Sequence, residues 1–460
     1  MHPTCKTPAA IRRLRAVVGA VALTLALAAC GTAGAGDADR AAAASSTAAE
    51  SAGGGSETAT GAGLFDDGTV HTVAISYDEA DYAELVAAYQ GSAEKIWIEA
   101  TVTIDGVTYE QAAIRLKGNS SLFGLRDSGT GTEAQTLPWL VRLDREIEGQ
   151  SHLGVSAFVV RSNSSETALN EALALELLEA AGLASESSAS IRLTMNGSAE
   201  ELRLVVKHLD EDWEEASFAA DGLLYKAESE GDYSYRGDDP AAYEDVFDQE
   251  TGEEDLTPLI EFLDFVNNSD DATFAAELDR YLDVEAFATY LAFEELIDNF
   301  DDIDGPGNNS YLRYDAETGR MTVVAWDHNL AFGVRNVNGG GPGGAGGPGG
   351  QRPTGQAPVG QAPVGQAPVG GGFPTGGGPG AMGGPNAKSN PLVERFLADD
   401  TFAGLVTRAK ADLQAELFDS GLADELLAER AAVLTDEAAD LVDAATVAAE
   451  VAAITASIAT

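Results

Sequence analysis

Asp298, Asp301, Asp302 and Asp304 crowd into DNFDDIDGPGNN, residues 298–309, together with Asn299, Asn308 and Asn309. Carboxylates this close repel one another, which is the arrangement a bound cation relieves. After them come SYLRY, the turn DAETGR and MTVVAW, which read as a β-hairpin, with Asp327 one residue beyond its second strand. A hairpin carries the end of its second strand back to the start of its first, so Asp327 is expected beside the acidic loop. Carboxylate and amide oxygens are the hard donors that Mg2+ or Mn2+ takes. Phosphoryl transfer from ATP asks little covalent work of a protein. It needs a divalent ion held across the phosphates and a carboxylate that orients the attacking hydroxyl. Asn309 and Asp327 suit the metal roles. For the carboxylate that orients the hydroxyl, Asp304 stands five residues before Asn309, the spacing of a protein-kinase catalytic loop. Asp301 stands eight before it, and Gly305-Pro306-Gly307 could loop out to bring it to the same place.

Other readings of these residues are weaker. An EF-hand with Gly305 sixth would put Phe300 first and Tyr311 twelfth, neither of which ligates calcium. Trp326 reads as a core anchor that fixes Asp327. His328 reads as structural, since no second histidine or cysteine lies at ligand spacing. Glu294 and Glu295 read as ordinary helix-surface residues. Asn119-Ser120-Ser121 follows Gly118 in a tight turn. No serine-hydrolase elbow and no dinucleotide fingerprint is present.

The positioning elements are legible on both sides of the loop. VHTVAISY, IWIEATVTID and YEQAAIRLKG alternate as strands, and DEADYAELVAAYQ between the first two has helical spacing with Asp78 as cap. SSETALNEALALELLEAAG is a helix that Ser164 or Ser165 can cap and Gly182 stops. SIRLTMNG and ELRLVVKHLD pair through a turn at Asn196-Gly197, and LLYKAE is a further short strand. Residues 254–300 are mainly helical and end in VEAFATYLAFEELIDNF, which leads into the acidic loop. Residues 338–389 are dominated by Gly and Pro, with GQAPV repeating from Gly355, and offer no core. From Asn390 to 460, Ala- and Leu-rich helical stripes need a surface to pack on, and the main domain is the expected one.

The whole chain has 460 residues, of which 44% are hydrophobic, with a net charge of −48. Such acidity disfavours nucleic acid and anionic membranes as direct partners. At the N-terminus, Arg12, Arg13 and Arg15 precede a short apolar run, too short for a stable span, that ends at Cys30. Leu27-Ala28-Ala29-Cys30 resembles a bacterial lipobox, which implies a signal peptide over 1–29 and a lipid on Cys30. Cleavage there would also remove Cys5, leaving no cysteine for a disulfide, zinc or a thiol nucleophile. Residues 30–63 are an Ala/Gly/Ser tether with too little apolar surface to fold.

IRLKGNSS (114–121), LLYKAE (223–228), NFDD with NNSYLRY (299–314) and WDHNLAFG (326–333) occur in the order found in the CotH kinase family, which is related to spore-coat protein H. The chain resembles that family from about residue 65 to about 450. The resemblance implies an α+β, divergent protein-kinase-like fold over 64–337 with a C-terminal helical region, and transfer of the ATP γ-phosphate to a protein Ser or Thr hydroxyl with Mg2+ or Mn2+. It places Asp301 as the catalytic aspartate, where loop spacing prefers Asp304, and Asp327 as the metal-binding one. Lys117, Lys226 and Arg142 are the candidate nucleotide contacts. Relatives often carry lysines before the strand in LPWLVRLD, where this chain has Pro138-Trp139, and many have a glutamate at the position of Lys207. These departures favour an alternative: an inactive surface pseudokinase or scaffold. In either case the protein is expected outside the cell membrane, anchored by the lipid on Cys30. A protein acceptor is expected to be basic where it meets so acidic a chain.

Overall fold

The computed structural model describes residues 63–122, 124–125, 133–228, 231–306, 308–334 and 390–458. Cys30, the apolar N-terminal run, the Ala/Gly/Ser tether up to residue 62 and the whole Gly/Pro tract over 338–389 lie outside the described residues. The described chain is α+β.

Strands β1 (His71–Tyr77), β2 (Ile98–Ile104), β3 (Val107–Leu116), β4 (Trp139–Arg142), β5 (Ala157–Val160), β6 (Ser188–Met195) and β7 (Glu201–Lys207) close into a barrel in the order β1-β2-β3-β4-β5-β7-β6. Neighbours are antiparallel except β1 and β6, which close the ring in parallel. Alternation in β1 sends Val73 and Ile75 inward to meet Val102, Ile114, Trp139, Phe158 and Ile191. Asn196 and Gly197 both take positive φ, 48° and 71°, in the β6–β7 turn, the conformation that an Asn-Gly hairpin turn requires. Helix α1 (Glu79–Ser92) starts at Asp78, whose carboxylate accepts from Ala80 N at 2.7 Å.

β5 is buried on both faces because helix α2 (Leu169–Ala180) covers its outer side. Ala168, Ala172 and Leu175 pack on Leu140, Val159, Leu204 and Val206, while Leu173 and Leu177 join the main helical core. The helix therefore lies between the barrel and the rest of the chain, which explains why it is apolar nearly all round. It begins at Leu169, several residues later than a cap at Ser164 or Ser165 would place it. Ala168 sits at φ 54° in the left-handed region, and Ser165 Oγ accepts from Ala168 N at 3.0 Å, ahead of the helix. Gly182, at φ 77°, ends it as the sequence requires.

A second, antiparallel sheet has the order β11-β10-β8-β9, formed by β8 (Gly222–Ala227), β9 (Phe247–Thr251), β10 (Ser310–Asp315) and β11 (Arg320–Ala325). One face, with Tyr225, Leu312, Val323 and Ala325, meets the helical core. The other, with Leu224, Tyr311, Val324 and Trp326, packs on Leu209 and on Trp213 of helix α3 (Glu211–Ser217). Helices α4 (Thr257–Asn268), α5 (Asp271–Glu277) and α6 (Val284–Leu296) precede the acidic loop. Helices α7 (Pro391–Ala398), α8 (Asp400–Leu413), α9 (Leu422–Glu437) and α10 (Ala444–Ile458) follow the Gly/Pro tract. They dock on the domain through Phe396 against Phe287, Lys410 on Glu295 at 2.6 Å and Arg430 on Glu176 at 2.5 Å. Among the described residues, no helix is long and apolar enough to cross a membrane.

Candidate functional site

The β10–β11 hairpin has the shape the sequence implies. Asp315 Oδ1 accepts from Glu317 N and Thr318 N at 3.0 and 2.7 Å to form its turn, and pairing runs back to Ser310 opposite Ala325. Asn309, leaving one strand, and Trp326-Asp327, leaving the other, therefore start side by side. The acidic loop folds onto its own backbone. Asn309 N donates to Asp302 O at 3.0 Å and Asn309 Nδ2 to Asp301 O at 2.9 Å. At Gly305 the chain doubles back so closely that a Cβ would stand 2.6 Å from Phe300 O and 2.7 Å from Asp301 Cα. Only glycine allows that approach. Ile303 is buried and its N donates to Tyr290 Oη at 3.1 Å, which pins the loop's middle. Asp301 is left half-buried and Asp304 exposed.

Glu294 departs from the sequence expectation. It is 1% exposed, not a helix-surface residue. Its Oε1 meets His328 Nε2 at 3.0 Å and its Oε2 accepts from Asn299 Nδ2 at 2.8 Å. A buried carboxylate needs such partners, and this one ties α6, the start of the loop and the residue after Asp327 together. His328 is fully buried, and the facing carboxylates, Glu294 first, raise its pKa against the opposing effect of burial. Asp302 is pushed well above the usual carboxylate range by burial, then by the charges of Glu294 and Asp304. Glu295, one residue on, is exposed as expected.

Asp327 itself takes φ 66° and its carboxylate is gripped by Arg161, at the end of β5. Arg161 also holds Glu171, in the first turn of α2, with Nη2 at 2.8 Å from Oε1 and Nε at 3.1 Å from Oε2. The Arg161 guanidinium carbon and the Lys117 ammonium stand 5.9 and 5.5 Å from the Trp326 ring centroid. Trp326 is thus a core anchor, as read, and also the floor beneath two cations. Glu171 is 3% exposed; burial pushes its pKa up and the Asp327 charge adds to that, with Arg161 opposing both. The Arg161–Glu171 pair was not singled out from the sequence. Its signal was an arginine directly after the apolar run AFVV, since a cation ending a buried strand needs a carboxylate.

The other candidate cations divide. Lys117 forms no ion pair among the described residues, and burial lowers its pKa to about 8, with Lys226, Arg115 and Lys95 adding to the effect and Glu250 opposing it. Lys226 is paired with Glu228, and Arg142 makes a two-pronged contact with Asp144 at 3.0 and 2.8 Å. Arg142 is thus committed to a neighbour on its own strand's exit. Lys95, not anticipated, donates to Asn119 Oδ1 at 3.1 Å, and its pKa falls to about 8 for the same first reason, burial. Among the described residues no three His, Cys, Asp or Glu side chains converge as a ready metal cage.

A family model described as CotH kinase protein matches residues 114–446, from the end of β3 into α10. The chain belongs to the CotH kinase family. Inner spore coat protein H of Bacillus subtilis (strain 168) is 27% identical over 173 residues, covering 36% of this chain and 47% of that protein. The match thus spans about half the length of that relative. The CotH family region takes in the Arg161–Glu171–Asp327 cluster, the acidic loop and most of the helices beyond the Gly/Pro tract.

Proposed function

We propose that this CotH family protein is an atypical protein kinase that moves the ATP γ-phosphate to a Ser or Thr hydroxyl of a protein. One observation carries the reading: Arg161, braced by Glu171, meets Asp327 where the hairpin returns beside the acidic loop. Phosphoryl transfer needs that juxtaposition of a fixed cation with carboxylates. Arg161 and Lys117 would hold phosphate oxygens over Trp326, and Arg161 answers the want of a lysine near Pro138-Trp139. Asp304, exposed, or Asp301, half-buried at the fold-back, would accept the hydroxyl proton. Asn309 spends its Nδ2 on Asp301 O, so its Oδ1 and the Asp327 carboxylate are the oxygen donors that fit a hard divalent cation. Held there, Mg2+ or Mn2+ would neutralise charge on the phosphates. The barrel and the helix-covered second sheet would then serve as the two lobes of a divergent kinase-like fold. The acceptor stays with the earlier expectation of a basic protein segment, and the lipid on Cys30 and an extracytoplasmic site belong to the same reading.

Incubation of the full chain with γ-labelled ATP, Mg2+ or Mn2+ and a basic acceptor protein tests it. Label transfer that Asp327→Asn and Arg161→Ala each abolish supports the kinase. A second reading, a pseudokinase scaffold, is favoured by the pairing of Lys226 with Glu228 and of Arg142 with Asp144, which occupies two of the candidate nucleotide contacts. Nucleotide binding without transfer in the wild-type chain would support that one. Loss of radiolabelled palmitate incorporation in Cys30→Ala would support the anchor.

A further inference from the structure

The segment that joins Arg161 to Glu171 has no regular structure of its own, yet it must hold both residues in register. What holds it comes from the far end of the chain. Glu450, on α10, accepts from Ser165 Oγ at 2.8 Å, Glu166 N at 2.9 Å, Thr167 N at 3.3 Å and from Thr167 Oγ1. One carboxylate thus satisfies two amides and two hydroxyls in three consecutive residues. The same hydroxyls then accept from the start of α2: Ser165 Oγ from Ala168 N at 3.0 Å and Thr167 Oγ1 from Leu169 N at 3.2 Å. In the same first turn, Asn170 Nδ2 donates to Asn329 O at 2.8 Å, two residues after Asp327, and Glu171 meets Arg161.

The energetics favour a role beyond tethering a helix. Thr167 is 3% exposed, so without Glu450 its amide and hydroxyl would be buried with no acceptor. Ala168 is a non-glycine residue at φ 54°, a conformation that persists only where surrounding contacts fix it. Loss of the carboxylate releases that fixation where α2 begins, three residues ahead of Glu171.

We propose that Glu450 is a positioning residue for the phosphate-holding Arg161 and its brace Glu171: the C-terminal helix, entering across the whole sequence, sets the geometry of the two. This rests on the phosphotransfer reading for its consequence, but not for its structural content. Its effect falls on nucleotide affinity, because Arg161 is assigned to hold phosphate, and less on the turnover of bound nucleotide.

The test compares Glu450→Ala with Asp443→Ala in the full chain. Asp443 Oδ1 accepts from Thr446 N at 2.8 Å at the start of the same helix, and among the described hydrogen bonds it has none to the 165–167 turn. Two readouts are taken: amide hydrogen exchange across 162–170, and KM and kcat for ATP. Glu450→Ala is expected to speed exchange there by tenfold or more and to raise KM by about tenfold with kcat within about threefold. Asp443→Ala should leave both within about twofold. Unchanged exchange and KM in Glu450→Ala overturn the proposal. Equal changes in both variants also overturn it, since they would reflect helix docking alone. If the wild-type chain neither binds nor turns over ATP, the kinase reading fails and the exchange comparison alone decides the role of Glu450.

Discussion

Replacing Arg161 with alanine tests the electrostatics of the site most directly. The change removes the cation between Glu171 and Asp327 while leaving both carboxylates. Glu171 is 3% exposed and the Arg161 side chain 11%, so little solvent is at hand to replace the lost partner. Breaking a buried ion pair from one side costs about 3–5 kcal/mol, most of it the penalty of the charge left behind. That penalty is titratable. Burial already raises the Glu171 pKa, and without Arg161 it rises further. A carboxylate whose folded pKa lies above its unfolded value binds extra protons in the folded state, so stability falls as pH rises through the interval between the two. The cost of Arg161→Ala should therefore be largest at pH 8 and shrink as the pH is lowered and the buried Glu171 carboxylate takes up its proton. Urea unfolding followed by tryptophan fluorescence reads this out, and Trp326 beneath the guanidinium is a local reporter. Adding Glu171→Gln to Arg161→Ala should restore about 1.5 kcal/mol or more at pH 8, as the buried charge disappears. A single-variant cost under about 1 kcal/mol, or one that does not change with pH, would refute the account of a buried pair.

Three further outcomes follow from the same geometry. Gly305→Ala should cost about 1–3 kcal/mol in urea, since its Cβ must displace backbone; Gly91→Ala, in α1 with open space around it, should instead stabilise by about 0.5–1 kcal/mol. His328 has a pKa raised above 6.5, so its pairing with Glu294 contributes fully below that value and is lost as pH climbs through the folded one. The urea midpoint should fall across that range in the wild type, and Glu294→Gln should flatten the decline. Lys117 should titrate near pH 8 in NMR spectra of the 13C-methylated protein, a signal that Lys117→Met removes.

Much of the architecture could be read from local signals. Asp78 and Gly182 bound their helices, Asn196-Gly197 turns its hairpin, and the alternation in SYLRY and MTVVAW makes the strands that return Asp327. Those signals are short-range, and the misses are long-range. The closing of the barrel depends on β1 lying parallel to β6, more than a hundred residues on, which no periodicity announces. Glu294 looked exposed because its helix has charged neighbours; its burial depends on His328, 34 residues away. The α2 cap was placed too early because Ser165, which suits a cap, instead bridges Glu450 to the residue before the helix. The role of Arg161 is not legible from the positions where relatives carry lysines, although a guanidinium serves two carboxylates at once better than an ammonium can.

The residues flanking the Gly/Pro tract are rooted in one place. Before it, Phe332 N bonds to Ile297 O and Gly333 lies against Asp298. After it, Asn390 Nδ2 reaches Ile303 O at 3.3 Å. Departure and return are both stapled to the stretch 297–303, so covalent continuity through the tract is not what unites the two portions of the molecule. A protease nick between 335 and 389 should give two polypeptides that still migrate as one particle, and trimming GQAPV copies should leave the acidic loop's shape as it was.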